Sequence, residues 1–460
     1  MPDLTILGGF LVPSAHEVPR PEWGLQVVGG AVAALGPNEV LRGQAGAGRL
    51  VDARDHILLP GFVNAHTHLY GILSHGMPVP VQPTGFYSFL EDFWWPHVED
   101  RLDHDLIEAS AALACVEMLR SGITTFCDIL EAPNAIPGAL DAAARAVERA
   151  GLRGVLCFEA TERAGKANGE RGLRENLQFA ASRRAAGGLV SGMMCLHTTF
   201  TCSPDFIRRG RGLAREAGLR LHLHLSEGTY EPEYCARTYG CTPVEHYERL
   251  GFWDDSVVAA QVVQVTDAEI EVLGRRRVNC AHLPLSNCEV GGGIAPVTKL
   301  LDKGLSVGLG TDGYINDFFQ VMRGAFLIHK AALLSPQVMP ARTVLHMGTE
   351  LGARALGFPE LGRLAVGAPA DVVALRNDFS TPLTAENLPD QIVLFGHPRQ
   401  VETLVVGGRV VVDGGSITTL DEGAARARGK EAARRLWDMV LAAVPSPRRG
   451  GHEGEGAGRG

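Results

Sequence analysis

Two pairs of histidines, each separated by one residue, are the positions in this chain whose type and spacing most directly suggest chemistry. His66 and His68 lie in the stretch NAHTH, and His222 and His224 lie in LHLHLSE. Because side chains alternate along a β-strand, both histidines of a pair point to the same face, about 7 Å apart. Two such imidazoles can bind one metal ion at the end of the strand. Either pair alone could also be a pair of hydrogen-bonded core histidines.

Two carboxylates add the groups that a hydrolytic reaction needs. Glu227 follows the second histidine pair, and Asp312 lies in the stretch LGTDG, after an apolar run. A glutamate beside a metal site can carry protons between water and substrate. Asp312 can bind a metal and accept a proton from water. The alternatives are a solvated loop charge for Glu227 and an ordinary turn aspartate before glycine for Asp312.

The elements that must position these side chains are strands that alternate with helices. Between residues 59 and 365, eight short apolar runs alternate with segments that have apolar residues at three- and four-residue spacing. This alternation predicts an α/β fold, a TIM-type (β/α)8 barrel, whose chemistry lies at the carboxyl ends of its strands. His66 and His68 end the first run, His224 the fifth and Asp312 the eighth. We therefore predict that these four side chains bind one divalent metal, with zinc favoured over iron or manganese.

The two chain ends differ from the middle of the chain in their sequence pattern. Residues 1–58 and 366–420 contain short β-runs broken by Gly, Pro and Asn, which predicts one small β-sandwich domain built from both ends. Residues 421–445 form an amphipathic helical pattern with Arg and Lys on its outer face. The Gly-rich, charged tail at 446–460 is predicted to be disordered.

Composition excludes several classes of function. The 460 residues carry a net charge of -9, so there is no basic footprint for nucleic acid. No apolar run is long enough to span a membrane, and the first residues read as a strand rather than a secretory signal. The nine cysteines form no CxxC pair and predict no disulfide framework. We expect a cytoplasmic protein.

The motifs PGFVNAHTH, HLHLSE, SNCEVGGGIAPV and LGTDG together resemble the amidohydrolase superfamily. The resemblance extends over nearly the whole chain and is closest to the chlorohydrolase/aminohydrolase branch, which includes purine, pterin and triazine deaminases. The stretches FYSFLEDFWW and CFEATER are most similar to the aminohydrolase associated with selenium-dependent purine and xanthine metabolism. This resemblance implies hydrolytic deamination of an amino-substituted purine, pyrimidine, pterin or related ring. It also makes a homodimer plausible.

The family's roles carry over residue by residue. Matching positions imply that four residues bind the metal: His66, His68, His224 and Asp312. Glu227 matches the acid/base, and His197 matches a histidine that contacts the substrate. His282 matches a histidine after the seventh strand that either lines the site or is structural. The fourth strand lacks a terminal lysine that could bridge two metals, so one metal per subunit is expected. Independently of the resemblance, Phe93, Trp94 and Trp95 could cover a flat ring or serve in core or interface packing.

One position departs from the family pattern. The sixth strand usually ends in a histidine, but here the stretch AAQVVQ places Gln261 there. A glutamine donates and accepts hydrogen bonds but cannot take up a proton at neutral pH. Either Gln261 only orients its neighbours while Glu227 and Asp312 carry every proton transfer, or the reaction is altered, slow or lost. We favour the first interpretation.

Two other functions remain open from the sequence. The same metal ligands would serve a hydrolase that opens a cyclic amide or removes halide. The second alternative is that the protein is a non-catalytic homologue that binds a metal or a ligand. Gln261 is the only residue that supports this alternative. The retention of Glu227 beside a complete ligand set argues against it, because a binding protein has no need of a proton carrier.

Overall fold

A closed parallel β-barrel forms the centre of the molecule, as predicted. The structure is a computed structural model that describes residues 1–78 and 81–443. Each barrel strand pairs in parallel with its neighbours, and the pairing of Leu309 with Asn64 closes the ring. We number the barrel strands 1 to 8 along the chain; the fourth is interrupted at Met193. Their bounds are Phe62–Thr67, Ile123–Leu130, Arg153–Ala160, Val190–Gly192 with Met194–Leu196, Leu221–Leu225, Val257–Gln261, Asn279–His282 and Val307–Leu309.

Helices cover the outside of the barrel between consecutive strands. Several begin where a side chain accepts a hydrogen bond from a free backbone N–H of the first turn, as Asp103, Ser203 and Thr266 do. In none of the described residues does a helix have the length and apolar character needed to cross a membrane. The principal helices are His104–Arg120, Ala139–Ala150, Lys166–Ala186, Pro204–Glu216, Tyr230–Tyr239, Pro243–Arg249, Asp267–Arg276, Pro284–Glu289, Val297–Asp302, Phe318–Ala332, Ala341–His346 and Gly352–Leu356.

Both chain ends join in one mixed sheet, which confirms the predicted second β-unit. Its strands form a single nine-stranded sheet, and Val32 and Val405, from strands far apart in it, share one buried apolar cluster. The sheet therefore curls over a core of its own. Its strands are Leu4–Leu11, Arg20–Pro21, Trp23–Val28, Ala31–Pro37, Arg49–Pro60, Val372–Arg376, Val401–Val406, Arg409–Asp413 and Ser416–Ile417.

A buried ion pair joins this sheet to the barrel. Asp371 is almost fully buried, and its carboxylate lies 3.2 Å from Arg153 at the start of barrel strand 3. The same carboxylate accepts a hydrogen bond of 2.7 Å from the backbone N–H of Gly407. The two units are thus held together by groups that have been removed from water.

The last helix, Glu422–Ala443, packs against the helix His104–Arg120. Leu436 and Val440 are fully buried on its inner face, and Glu422 pairs with Arg120. The predicted disordered tail at 446–460 lies outside the described residues.

Candidate active site

A cavity of about 470 Å³ lies at the carboxyl ends of the barrel strands. This volume is in the range of sites that hold small molecules. Its lining comes from the ends of barrel strands 1, 3, 4, 5 and 8, from the loop after strand 1 and from the helix Pro284–Glu289 that follows strand 7. The barrel therefore gathers side chains from widely separated parts of the chain around one space.

The four predicted metal ligands converge in this cavity. His66, His68, His224 and Asp312 are all buried, and each offers one donor atom within 4.8 Å of the other three. The Nε2 atoms of His66 and His68 lie 3.3 and 3.1 Å from Asp312 Oδ1. Donors bound at about 2.1 Å to a tetrahedral ion lie roughly 3.4 Å apart, so the arrangement fits a single divalent ion such as zinc.

Hydrogen bonds around the group determine which nitrogen of each ring faces the ion. His68 donates its Nδ1–H to the carbonyl of Ile129 at 2.7 Å, because a carbonyl can only accept. Nδ1 of His224 lies 2.7 Å from the carboxylate of Glu159. Each contact leaves Nε2 free to bind metal, which is how outer groups usually orient metal-bound histidines.

Nδ1 of His66 lies 3.2 Å from His222 Nε2. The two histidines of the second pair therefore have different roles. His224 belongs to the metal-binding group, and His222 contacts His66 from outside that group.

Asp312 is held from its other side by two polar residues, and a third residue orients one of them. Its Oδ2 accepts hydrogen bonds from Gln261 Nε2, at 3.0 Å, and from the hydroxyl of Ser286. Gln261 Oε1 in turn accepts from the side-chain amide of Asn287, which determines the orientation of the glutamine amide. Asp312 and Gln261 have φ values of 57° and 75°, a region that non-glycine residues rarely occupy. Such strained backbone persists where surrounding structure enforces it, often at active sites.

The pKa values of the two carboxylates of the site are shifted in opposite directions. Burial, together with the charge of Asp312, raises the pKa of Glu227 well above its usual value. Burial would also raise the pKa of Asp312, but hydrogen bonds from His66 and His68 outweigh it and hold that pKa well below its usual value. A neutral Glu227 can donate a proton where an ionised Asp312 can accept one. Such a separated pair is typical of acid–base catalysis.

His197 and Trp95 both line the cavity, as the sequence predicted for substrate contacts. His197 ends barrel strand 4, and its Nδ1 lies 2.8 Å from the Thr201 hydroxyl. The ring centroids of His197 and Trp95 are 6.3 Å apart and the rings are nearly perpendicular. Phe93 and Trp94 also line the cavity, so its lining combines aromatic side chains with members of the metal-binding group.

His282 is placed differently from the other predicted residues. It is buried at the end of barrel strand 7, where its Nε2 lies 3.1 Å from His329 Nε2. It is not among the residues that line the described cavity. The structure therefore places His282 in a histidine pair, which favours the structural of the two roles left open by the sequence.

Three acidic residues that line the cavity were missed in the sequence, namely Glu99, Glu159 and Glu289 at the end of the helix Pro284–Glu289. Glu159 ends barrel strand 3 and contacts His224, and Glu99 accepts hydrogen bonds from Tyr70 and Arg163 at 2.8 and 2.9 Å. Glu159 had a usable signal, because it ends an apolar run at the same rim as the histidines. Glu99 lies in a loop with no periodic pattern to mark it as buried.

Comparison with known proteins places this geometry in a family. Residues 57–411 match the amidohydrolase family. The chain is 37% identical over 403 residues to the 5′-deoxyadenosine deaminase of Methanosarcina barkeri, which covers 86% of this chain and 90% of the relative. It is 33% identical over 379 residues to the 5-methylthioadenosine/S-adenosylhomocysteine deaminase of Carboxydothermus hydrogenoformans, covering 81% and 85%.

A solved structure agrees with these relatives. The crystal structure of an adenosine deaminase from Xanthomonas campestris with bound zinc superposes with a TM-score of 0.86 at 26% identity. The superposition covers 96% of this chain and 99% of that chain. The family match spans the whole barrel and every residue of the metal-binding group, and the chain belongs to the amidohydrolase family.

Proposed function

We propose that this protein is a metal-dependent hydrolase that removes the amino group from the adenine ring of a small nucleoside and releases ammonia. The observation that carries the proposal is one site that brings together a four-residue metal-binding group, Glu227, whose pKa is raised, and Asp312, whose pKa is lowered. Relatives at 33–37% identity are named as deaminases of 5′-deoxyadenosine and of 5-methylthioadenosine or S-adenosylhomocysteine. An adenine nucleoside without a 5′-hydroxyl is therefore the substrate class we favour.

The proposed reaction assigns one task to each polar residue. A divalent ion held by the four ligands supplies Lewis acidity, which makes water a nucleophile near neutral pH. Asp312 accepts the proton of the water whose oxygen bonds to the ring carbon that bears the amino group. Glu227 donates its proton to the adjacent ring nitrogen. The C–N bond then breaks, and the amino group leaves as ammonia with the proton that Asp312 had accepted. The proton left on the new hydroxyl returns to Glu227 as the ring C=O bond forms.

Gln261 has an orienting task in this scheme. Its amide donates to Asp312 Oδ2, and Asn287 holds that amide in place. The glutamine therefore needs no proton of its own to transfer. This favours the first of the two interpretations raised by the sequence, in which Glu227 and Asp312 together carry the proton transfers.

The aromatic wall suits a flat ring. His197 and Trp95 are proposed as substrate contacts, with Phe93 and Trp94 beside them, because purines bind well against aromatic faces. His282, paired with His329, is assigned no contact with substrate.

A substrate panel tests the proposal. Metal-loaded protein is incubated with 5′-deoxyadenosine, 5′-methylthioadenosine, adenosine, guanine, a pterin and a chlorotriazine, and products are identified by mass. We expect ammonia and the hypoxanthine nucleoside from the adenine compounds. A ring-opened acid or released chloride would support the alternative hydrolases. No product from any compound, with metal bound, would support the non-catalytic homologue.

Three finer predictions from the sequence also belong here. We propose a homodimer and a cytoplasmic location, which sedimentation and cell fractionation would test. The link to selenium-dependent purine and xanthine metabolism stays a prediction from the stretches FYSFLEDFWW and CFEATER alone.

A further inference from the structure

Acidic side chains, but no described lysine or arginine side chain, line the cavity. Histidines, aromatic residues and five carboxylate side chains line it. The five acids are Glu99, Glu159, Glu227, Glu289 and Asp312. Burial raises the pKa of some of these acids, as it does for Glu227. A negatively charged ligand would nevertheless find no arginine or lysine partner on the lining.

Arg163 is the cation that could have served such a ligand. It lies beside the cavity wall, with its guanidinium carbon 5.1 Å from the centre of the Trp95 ring. Its NH2 and NH1 lie 2.9 Å from Glu99 and 2.9 Å from Asp100, and its Nε pairs with Glu131. Three carboxylates thus surround one guanidinium. Every nitrogen of Arg163 already has an acidic partner, so its charge is balanced by carboxylates of the protein itself.

From these two observations we infer that the cavity selects nucleosides whose 5′ group is neutral or cationic and excludes those whose 5′ group is an anion, such as a carboxylate or phosphate. The inference rests on the proposed function for the identity of the ligand as an adenine nucleoside. It bears on the substrates named for the relatives, because S-adenosylhomocysteine carries a carboxylate, together with an ammonium, in its tail, whereas 5′-deoxyadenosine and 5-methylthioadenosine carry no charge there. Glu99, Glu159 and the sequestered Arg163 are the specificity-determining residues.

The test compares ligands that differ only at the 5′ position. The set is 5′-deoxyadenosine, 5′-amino-5′-deoxyadenosine, adenosine-5′-carboxamide and adenosine-5′-carboxylic acid. The last two are nearly the same shape and differ by one negative charge. Ammonia release gives kcat/KM on the metal-loaded protein, and calorimetry gives Kd on metal-loaded Glu227→Gln, in which turnover is slow.

We expect the carboxamide to exceed the carboxylate by about tenfold or more in kcat/KM and in affinity, which is about 1.4 kcal/mol. The amine should match or exceed 5′-deoxyadenosine. Equal or tighter binding of the carboxylate would overturn the inference. If the affinities follow the expected order while no ligand releases ammonia, the charge selection stands and the proposed function fails. If none of the four ligands binds, both are overturned.

A variant of the acidic shell supplies an independent arm. Asp100→Asn removes one charge from around Arg163 while keeping an oxygen that can accept from it. The preference for carboxamide over carboxylate should shrink several-fold. Asp105→Asn, an exposed aspartate on the helix His104–Arg120, is the matched control and should leave the preference unchanged. An equal change in both variants would contradict the role given to Arg163.

Discussion

Gln261→Leu is the substitution that best distinguishes the two interpretations of Gln261: a glutamine that orients Asp312 in an active site, or a replacement that leaves the site inactive. In the wild type, Gln261 Nε2 donates to Asp312 Oδ2 at 3.0 Å. A hydrogen bond to a charged group contributes about 1.5–3 kcal/mol. If that contact keeps Asp312 positioned to accept a proton, its loss lowers kcat roughly 10- to 150-fold. KM should change little, because Gln261 is not among the residues that line the cavity.

The same substitution has a cost in stability. Asn287 is fully buried, and its side-chain amide loses the Gln261 oxygen that accepts from it. A buried donor left without a partner costs about 1–3 kcal/mol, so the thermal midpoint should fall by a few degrees.

The assay measures kcat and KM by ammonia release, metal content by atomic spectroscopy and the thermal midpoint on the same preparation. Gln391→Leu is the matched control, because Gln391 is also buried but donates to Thr381 in another part of the chain. The reasoning is refuted if Gln261→Leu is folded and metal-loaded with a kcat within twofold of the wild type. A large rise in KM at constant kcat would also contradict it.

Three further substitutions test separate parts of the account. Glu227→Gln keeps the shape of the side chain but removes its transferable proton, so ammonia release should fall at least a hundredfold with metal content unchanged, and a wild-type rate would remove Glu227 from its role. Glu159→Gln weakens the acceptor that orients His224, so metal affinity should fall by about tenfold or more, as measured by competition with a chelator; unchanged affinity would make the contact incidental. Asp371→Ala leaves Arg153 buried without its partner and should lower the free energy of unfolding by about 3–5 kcal/mol in urea denaturation, whereas a loss below about 1 kcal/mol would mean that the pair does not hold the barrel to the sheet.

Much of the fold could be predicted from the pattern of apolar residues in the sequence. The alternation of apolar runs with three- and four-residue spacing predicted eight parallel strands, and a ring closed by Leu309 and Asn64 confirms it. The chain ends were recognised as one unit because both carry short β-runs. Periodicity does not state how such strands pair, so the single curled sheet and the interruption of strand 4 at Met193 came from the structure.

The candidate site was predictable where a side chain ends a strand. His66, His68 and Asp312 were found this way, because strand alternation and barrel topology together determine which ends meet. Residues whose role depends on tertiary contacts were not: Glu99 is buried by a loop, and the pairing of His282 with His329 joins a strand to a helix far along the chain. No local pattern contains that information.

Titration of metal-free protein with zinc, followed by ammonia release from 5′-deoxyadenosine, tests the central claim most directly. The four converging ligands predict that activity rises with added zinc and stops rising at one ion per chain, and that a His66→Ala, Asp312→Ala double variant neither retains the ion nor releases ammonia. Activity that needs two ions per chain, or that persists in the double variant, would contradict a single metal held by these residues.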